Sequence, residues 1–225
     1  MTREELLKIA KPVLFNTEMV IAILEDRKGA TRRAVKPQPD EKHNFPLGFV
    51  IDSTNKKDIG KFAFGIDEFG GSHQYAKSPC KKGDYLYVRE TWHKYTKRVG
   101  KGESCHLAEF YGYKASIANS EDAHEPWKPS IHMPKEAARL FLKVTDVRVE
   151  RLQDITISEM KKEGLIDECE YCTRGIDCNV CIHEDGIIDE WQELWNSTVK
   201  KADLDKYGWG ANPWVWVIEF ERVEV

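Results

Sequence analysis

The sequence predicts an α+β fold in which a small mixed β-barrel carries helices at its ends. Segments with the alternation of strands outnumber helical segments, and they are not separated by regular strand–helix units, which argues against a doubly wound sheet. Apolar residues make up 41% of the 225 positions, so a core is feasible. We therefore expect one domain over 1–225, with insertions at about 37–80, 94–135 and 165–184.

The first part of the chain predicts short helices and strands. Residues 1–10 are typical of a short polar helix, and "KPVLF" is typical of a strand. Thr17 suits the N-cap of a helix over "EMVIAILED", and Lys28-Gly29 suits its end. We expect the insertion at 37–80 to be extended and to contain a hairpin. "KKGDYLYVRETW" predicts a turn at Gly83-Asp84 that leads into a strand.

The second part contains clearer signals after an irregular stretch at 94–135. Residues 138–152 contain a long strand, which "VTDVRVERL" indicates by its alternation. Thr156 and Glu159 have the spacing of a capping box, and Gly164 suits the end of the helix that follows. An amphipathic helix is predicted over "EDGIIDEWQELWNSTV", with one apolar side formed by Ile187, Ile188, Trp191, Leu194 and Trp195.

The closing segment "PWVWVIEFERV" predicts a strand with two different apolar faces. Trp214 and Trp216 share one face, while Val215 and Val217 lie on the opposite one. The tryptophans are interpreted as core residues or as an aromatic platform.

Charge and hydropathy limit the classes of partner. No run of 18 apolar residues is present and the first residues lack a secretory signal, so we expect a cytoplasmic protein without a membrane partner. The net charge of −4 argues against broad affinity for long nucleic acid, because neutralising phosphates supplies that affinity. Any nucleic-acid contact then requires a local basic patch or a small ligand.

One basic stretch, "RKGATRR" at 27–33, has two interpretations. It follows a predicted helix, where cations are favoured by the helix dipole, so its charges are explained by a solvated helix end. Alternatively, Lys28, Thr31 and Arg32 form a reactive or nucleotide-binding cluster. Charge alone does not separate the two.

Four cysteines lie in "CEYCTRGIDCNVC", as Cys169-x₂-Cys172-x₅-Cys178-x₂-Cys181. Two CxxC pairs can place four thiolates around one tetrahedral Zn²⁺, and cytoplasmic thiols stay reduced. We therefore expect one structural zinc per chain in a compact knuckle, without an open position for catalysis. His183 is an alternative ligand for one cysteine, and an iron–sulfur cluster, a redox pair or free thiols remain rival interpretations.

Four segments together resemble the ASCH domain of the PUA-like superfamily. They are "ILEDRKGATRR", "CKKGDYLYVRETW", "VTDVRVERLQDITISEMKKEGL" and "NPWVWVIEFERV", in that order along the chain. The longer forms "YVRETW" and "DLDKYGW" followed by "NPWVWVIEFE" are similar to those of the larger ASCH proteins common in phages and prophages. The resemblance implies a PUA-like barrel whose cleft binds RNA or a modified nucleoside or nucleotide.

The resemblance also implies candidate catalytic residues. One bacterial branch of the family hydrolyses the acetyl amide of N4-acetylcytidine, with a Lys, a Thr three residues later and a Glu near the end of a later helix. Those positions are Lys28, Thr31 and Glu163 here. Another branch is described as ribonuclease. Binding is therefore the first expectation, with an amidohydrolase and then a ribonuclease as alternatives.

The chemistry of the three residues is consistent with acyl transfer. A threonine hydroxyl needs a base to take its proton, and Lys28 could do so if burial favours its neutral form. Glu163 could bind the cytosine edge or give a proton to the leaving amine. The oxyanion would need charged Lys28 or a backbone N–H. The alternative interpretation of Glu163 is a solvated helix residue.

Four further residues are candidate nucleotide ligands. Arg32 and Arg33 could hold a phosphate or carbonyl oxygen. Glu90 and Trp92 share one face of the strand in "YVRETW", where Trp92 could stack on a base. The alternatives are an ion pair for Glu90 and a core position for Trp92.

Overall fold

The computed structural model of the protein describes residues 1–116, 126–165 and 183–224, without the side chains of Glu103 and residues 183–185. Over these ranges the protein is α+β, as predicted, with many strands and few helices. The described helices are α1 (Arg3–Ile9), α2 (Thr17–Leu24), α3 (Ile157–Lys162), α4 (His183–Thr198) and α5 (Leu204–Tyr207).

The described strands form three sheets, and none of these sheets closes into a barrel. Their orders are β1-β6-β9-β10-β2, β3-β4-β5 and β7-β8. The strands are β1 (Lys11–Leu14), β2 (Ala30–Ala34), β3 (Phe45–Phe49), β4 (Phe62–Gly65), β5 (Gln74–Ala76), β6 (Tyr85–Arg89), β7 (Trp92–Val99), β8 (His106–Tyr113), β9 (Phe141–Arg151) and β10 (Trp214–Val223).

The chain divides into two compact units. The first comprises Met1–Gly29, Gly83–Val144 and Phe220–Val225, and the second comprises Ala30–Lys82 and Thr145–Glu219. The long strands β9 and β10 contribute residues to both units. Strand β1 pairs in parallel with β6, whereas β2 pairs in antiparallel fashion with β10.

The core of the first unit lies beneath α1. Thr2 caps this helix, because its hydroxyl accepts a hydrogen bond from the amide of Glu5 while the Glu5 carboxylate accepts one from the amide of Thr2. Leu6 is the buried residue of this helix. The buried residues around it are Ala10, Tyr87, Trp92, Met133, Ala137, Ala138 and Phe141.

A long antiparallel hairpin replaces the irregular structure expected at the start of 94–135. Strands β7 and β8 pair without interruption from Trp92 opposite Tyr113 to Val99 opposite His106. Both strands are mostly exposed and mix basic with aromatic residues, so they lack the apolar alternation that a half-buried strand shows. The prediction of an irregular segment is therefore wrong for these two strands.

Strand β10 is covered on both faces within the second unit, which confirms the predicted division of its side chains. Val215 and Val217 pack in a core cluster with Leu152, Met160, Ile187, Trp191 and Trp195. On the other face, the Trp216 ring lies 6.1 Å from the Phe49 ring, at an interplanar angle of 24°. Trp214 lies 5.5 Å from Phe64. The two faces therefore contact the helices and the three-stranded sheet, respectively.

The sequence predicted the caps of α3 correctly, but it predicted the wrong N-cap residue for α2. The capping box of Thr156 and Glu159 is confirmed, and Gly164 follows α3 with a φ of +99°. Helix α2, however, is capped by Asn16, whose side-chain oxygen accepts from the amide of Met19, and not by Thr17. It ends at Leu24, and Asp26 takes a left-handed φ of 56°.

Two sequence predictions concern absent or undescribed features. Among the described residues, no helix is long and apolar enough to cross a membrane. The four cysteines of the expected zinc knuckle, Cys169, Cys172, Cys178 and Cys181, lie outside the described residues.

Candidate functional site

The basic stretch is enclosed and not solvated. Lys28 is 4% exposed, Thr31 2% and Arg32 4%. Lysine and arginine are almost never fully buried unless they are paired, so this burial is informative. Helix α2 ends before the stretch begins, at Leu24. The interpretation of Lys28 and Arg32 as exposed cations at a helix end is therefore wrong.

Lys28 belongs to the first unit and lies on an aromatic surface. Its Nζ is 5.6 Å from the centroid of the Phe15 ring, within the range of a cation–π contact. Phe15 in turn packs against Phe220, with 6.2 Å between the ring centroids. The backbone beside Lys28 is held as well, because the carbonyl of Gly29 accepts a hydrogen bond from the Phe220 amide at 2.9 Å.

Thr31 belongs to the second unit and lies in β2, where it is paired with Ile218 of β10. Neighbouring residues of a strand point to opposite faces, so the side chains of Thr31 and Arg32 diverge. The hydroxyl of Thr31 is thus presented on the same face of the strand as the side chain of Arg33. The strand places these residues, and Thr31 is 2% exposed there.

Arg32 is the centre of an acidic cluster within the second unit. Its guanidinium lies 3.2 Å from a carboxylate oxygen of Glu159, 3.3 Å from Glu150 and 3.4 Å from Glu163. The Arg32 side chain is completely enclosed, and its Nε has no hydrogen-bond partner among the described residues. In this conformation the guanidinium is engaged by carboxylates and supports Glu163.

A second arginine, Arg148, connects the same acidic cluster to the sheet. It contacts Glu159 at 2.5 Å, Glu219 at 2.6 Å and also Glu150. Burial opposes its charge, but the hydrogen bonds that Arg148 donates to Glu150 and Glu219 hold the pKa of Arg148 above its ordinary value. Arg148 is about one-third exposed, so water reaches this side of the cluster.

Glu163 is the enclosed end of α3. It is 3% exposed, and its amide donates to the carbonyls of Glu159 and Met160 at 3.0 and 3.1 Å. Burial lowers the pKa of Arg33, and the charge of Glu163 acts in the opposite direction. The interpretation of Glu163 as a solvated helix residue is therefore wrong.

Glu159 joins the helix cap to the charge cluster. Burial alone would raise the pKa of this carboxyl, but hydrogen bonds from Thr156 and the charges of Arg32 and Arg148 lower it overall. The capping box thus fixes the first turn of α3, and the same carboxylate pairs with two arginines.

Glu90 and Trp92 lie in the first unit and are also enclosed. Glu90 is 1% exposed and accepts two hydrogen bonds from Arg139, from Nε at 2.8 Å and from Nη2 at 2.7 Å. Trp92 is part of the core cluster, with Lys128 Nζ 5.1 Å from its ring. Nothing in the sequence signals Arg139, because 49 residues separate it from Glu90.

Two features of the described residues stand apart from the predicted site. A cleft of about 620 Å³ in the second unit has Pro37, Arg151 and Tyr207 in its lining, and none of the predicted site residues lines it. No group of three or more metal-binding side chains occurs in the part of the chain that the structure describes.

The structure therefore defines an α+β protein with two enclosed guanidinium–carboxylate clusters, one in each unit. Comparisons with protein-family models, curated proteins and solved structures found no match to the chain.

Proposed function

We propose that this is a cytoplasmic protein of the ASCH type, with a PUA-like domain that binds RNA or a modified nucleoside. The observation that carries the proposal is the enclosed contact of Arg32 with Glu163 in the second unit, at 3.4 Å. Enclosing such groups costs free energy, and clusters of this kind are concentrated at functional sites.

The chemistry of the acidic cluster suits the amino edge of a base. A carboxylate is an acceptor of hydrogen bonds, and the exocyclic amino group of cytosine is a donor. Glu163 is held in place by the cap of α3 and by Arg32, so its ordering is achieved before a ligand binds. Such preorganisation increases affinity because less conformational entropy is lost on binding.

Binding is tested by calorimetric titration of the protein with cytidine and N4-acetylcytidine. We expect Glu163→Gln to weaken nucleoside binding by about tenfold, the effect of losing roughly 1.4 kcal/mol. Glu68→Gln, which changes an exposed carboxylate, is the matched control. The proposal fails if the wild-type protein binds neither nucleoside, or if both variants bind them equally.

The second candidate is an amidohydrolase, favoured because Lys28, Thr31 and Glu163 are each no more than 4% exposed. In this proposal Lys28 takes the proton of the Thr31 hydroxyl, whose oxygen attacks the acetyl carbonyl of N4-acetylcytidine. The C–N bond breaks, and Glu163 passes the proton held by Lys28 to the leaving cytidine. Water then adds to the acetyl-threonine ester, one of its protons returns to the Thr31 oxygen, and acetate leaves with release of the other proton.

Hydrolysis is tested by chromatography of N4-acetylcytidine after incubation with the protein. We expect cytidine with the wild type and none above background with Lys28→Ala or Thr31→Ala. Thr31→Ser keeps a hydroxyl and should retain part of the turnover. Undiminished turnover by Thr31→Ala would overturn the mechanism. Cleavage of an unmodified oligoribonucleotide in the same assay would favour the ribonuclease.

The four cysteines are proposed to bind one structural zinc ion. Tetrahedral coordination by Cys169, Cys172, Cys178 and Cys181 would leave no site for substrate. Metal analysis of protein purified under reducing, chelator-free conditions should give about one Zn²⁺ per chain, and Cys172→Ser should lose it. Metal-free wild-type protein would contradict the proposal.

A further inference from the structure

The outer face of the β7–β8 hairpin carries a row of aromatic rings. His93 and Tyr95 have ring centroids 5.3 Å apart with 21° between their planes, and Tyr95 and Phe110 are 5.7 Å apart with 28° between them. Tyr95 and Phe110 are each 37% exposed. Three nearly parallel rings therefore extend from the interior of the unit to its surface.

The rings are offset and do not eclipse each other. Directly stacked rings would have centroids closer than the 4.5–7 Å range that aromatic pairs prefer, whereas these separations lie well within that range. Part of each exposed ring face is thus left uncovered. A planar base can stack on such a surface, as bases do on the aromatic platforms of single-strand binding proteins.

His93 and Gly112 anchor the inner end of the row. They are paired across the hairpin, and a Cβ at Gly112 would lie 2.1 Å from His93 Nε2, so only glycine leaves room for the ring. His93 is 4% exposed, and its Nδ1 has no hydrogen-bond partner among the described residues. The Trp127 ring packs against it in an edge-to-face arrangement, at 4.6 Å between centroids.

The hairpin is basic although the chain is acidic. Residues 92–114 contain five Lys or Arg and two Glu, whereas the whole chain has a net charge of −4. Lys97 is exposed and shares the face of Tyr95, because the two are separated by one residue of the strand. Glu109 is paired with Lys94 at 2.7 Å, so one of the two acids is neutralised locally.

We infer that the outer face of this hairpin is a platform for single-stranded RNA, with bases on Tyr95 and Phe110 and a phosphate at Lys97. The inference rests on the proposed function for the choice of RNA, and extends it to a second surface with its own residues. Stacking supplies affinity with little sequence preference, and basic residues supply the salt-dependent part.

Fluorescence anisotropy with a labelled oligouridine of about ten nucleotides tests the platform, since single-strand sites span roughly 4–16 nucleotides. We expect Tyr95→Ala and Phe110→Ala each to weaken binding by about tenfold, and Lys97→Ala to reduce the slope of log K against log salt by about 0.7. Tyr95→Leu keeps an apolar side chain on the strand but removes the ring, so it should also weaken binding.

Tyr75→Ala is the matched control. Tyr75 is 40% exposed, lies 6.0 Å from a histidine ring and has a lysine over its own ring, but it belongs to the three-stranded sheet. We expect less than a twofold effect. Equal binding by the wild type, Tyr95→Leu and Phe110→Ala would overturn the platform.

Duplex RNA and single-stranded DNA of the same length complete the experiment. Binding of duplex RNA as tight as oligouridine would overturn stacking, and equally tight binding of DNA would overturn the assignment to RNA. A wild type that binds nucleoside but not oligouridine would overturn the platform alone. A wild type that binds oligouridine through Tyr95 but no nucleoside would support the platform and overturn the proposed nucleoside site.

Discussion

In both enclosed clusters an arginine neutralises a buried glutamate, but the two clusters differ in the number of partners. In the first unit, Glu90 and Arg139 form a one-to-one pair with two hydrogen bonds of 2.7–2.8 Å. In the second unit, Arg32 faces three carboxylates at 3.2–3.4 Å. The first cluster is a single pair, whereas the second is a network in which another arginine, Arg148, contacts two of the same carboxylates.

The difference bears on which carboxylate belongs to the proposed nucleoside site. A bidentate pair satisfies both partners, so Glu90 has little capacity left for a ligand. Glu163 lies 3.4 Å from the guanidinium of Arg32, which also contacts Glu150 and Glu159. Sharing of one guanidinium, in place of a dedicated bidentate partner, is the physical reason to prefer Glu163 over Glu90 in the proposed nucleoside site.

Removing the shared cation should produce the largest effect. We expect Arg32→Met to lower the free energy of unfolding by about 3–5 kcal/mol at neutral pH, because the buried Glu163 and two partly buried carboxylates lose an enclosed counter-charge. Glu159, whose pKa the charge of Arg32 helps to lower, then binds a proton more readily, so the loss should shrink as the pH falls. Urea titrations at pH 7 and pH 5 measure both effects, and a loss that does not depend on pH would contradict the electrostatic explanation.

Breaking the balanced pair should have a somewhat smaller effect. Arg139→Ala leaves Glu90 enclosed without its partner, but Arg139 is itself one-quarter exposed, so water can replace part of it. We expect a loss of about 2–4 kcal/mol in the free energy of unfolding. Ser116→Ala removes an exposed hydroxyl that only accepts a hydrogen bond from Arg139 and should cost under about 0.5 kcal/mol. Equal losses in the two variants would refute the role assigned to the pair.

The smallest expected effect concerns how the free energy of unfolding changes at acidic pH. The folded protein holds the pKa of Glu159 below its ordinary value, so its ionised form stabilises the fold above that value and this contribution disappears as the pH falls. Glu159→Gln keeps the side-chain acceptor of the capping box and removes the charge. We expect a loss of under about 1 kcal/mol at pH 7, reduced further below pH 4, in urea titrations. A larger loss at low pH than at pH 7 would reverse the assigned sign.

Local chemistry predicted the second unit well. The spacing of Thr156 and Glu159 located the start of α3, and the alternation in "PWVWVIEF" assigned Trp216 and Val217 to opposite faces of β10. Each of these two signals is contained in a few consecutive residues. They depend on backbone periodicity and capping, which hold whatever the remainder of the protein does.

The charge clusters could not be predicted from the sequence in the same way. Arg32 and Glu163 are 131 residues apart, and Glu90 and Arg139 are 49 apart. Each of these residues resembles a solvated surface charge when only its neighbours are known. The hairpin escaped prediction for a related reason, because its exposed strands have no core-facing alternation to reveal them.

The pairing of β2 with β10 has a consequence for synthesis of the protein. Strand β2 is the last strand in its sheet and pairs there with β10, and the side chain of Gln38 just beyond it bonds to Trp214, 176 residues later. During translation β2 therefore leaves the ribosome long before its partner exists. A nascent chain halted before Trp214 should expose Thr31 and Arg32 to proteases that cannot reach them in the folded protein, which makes this strand a point where chaperones would be needed.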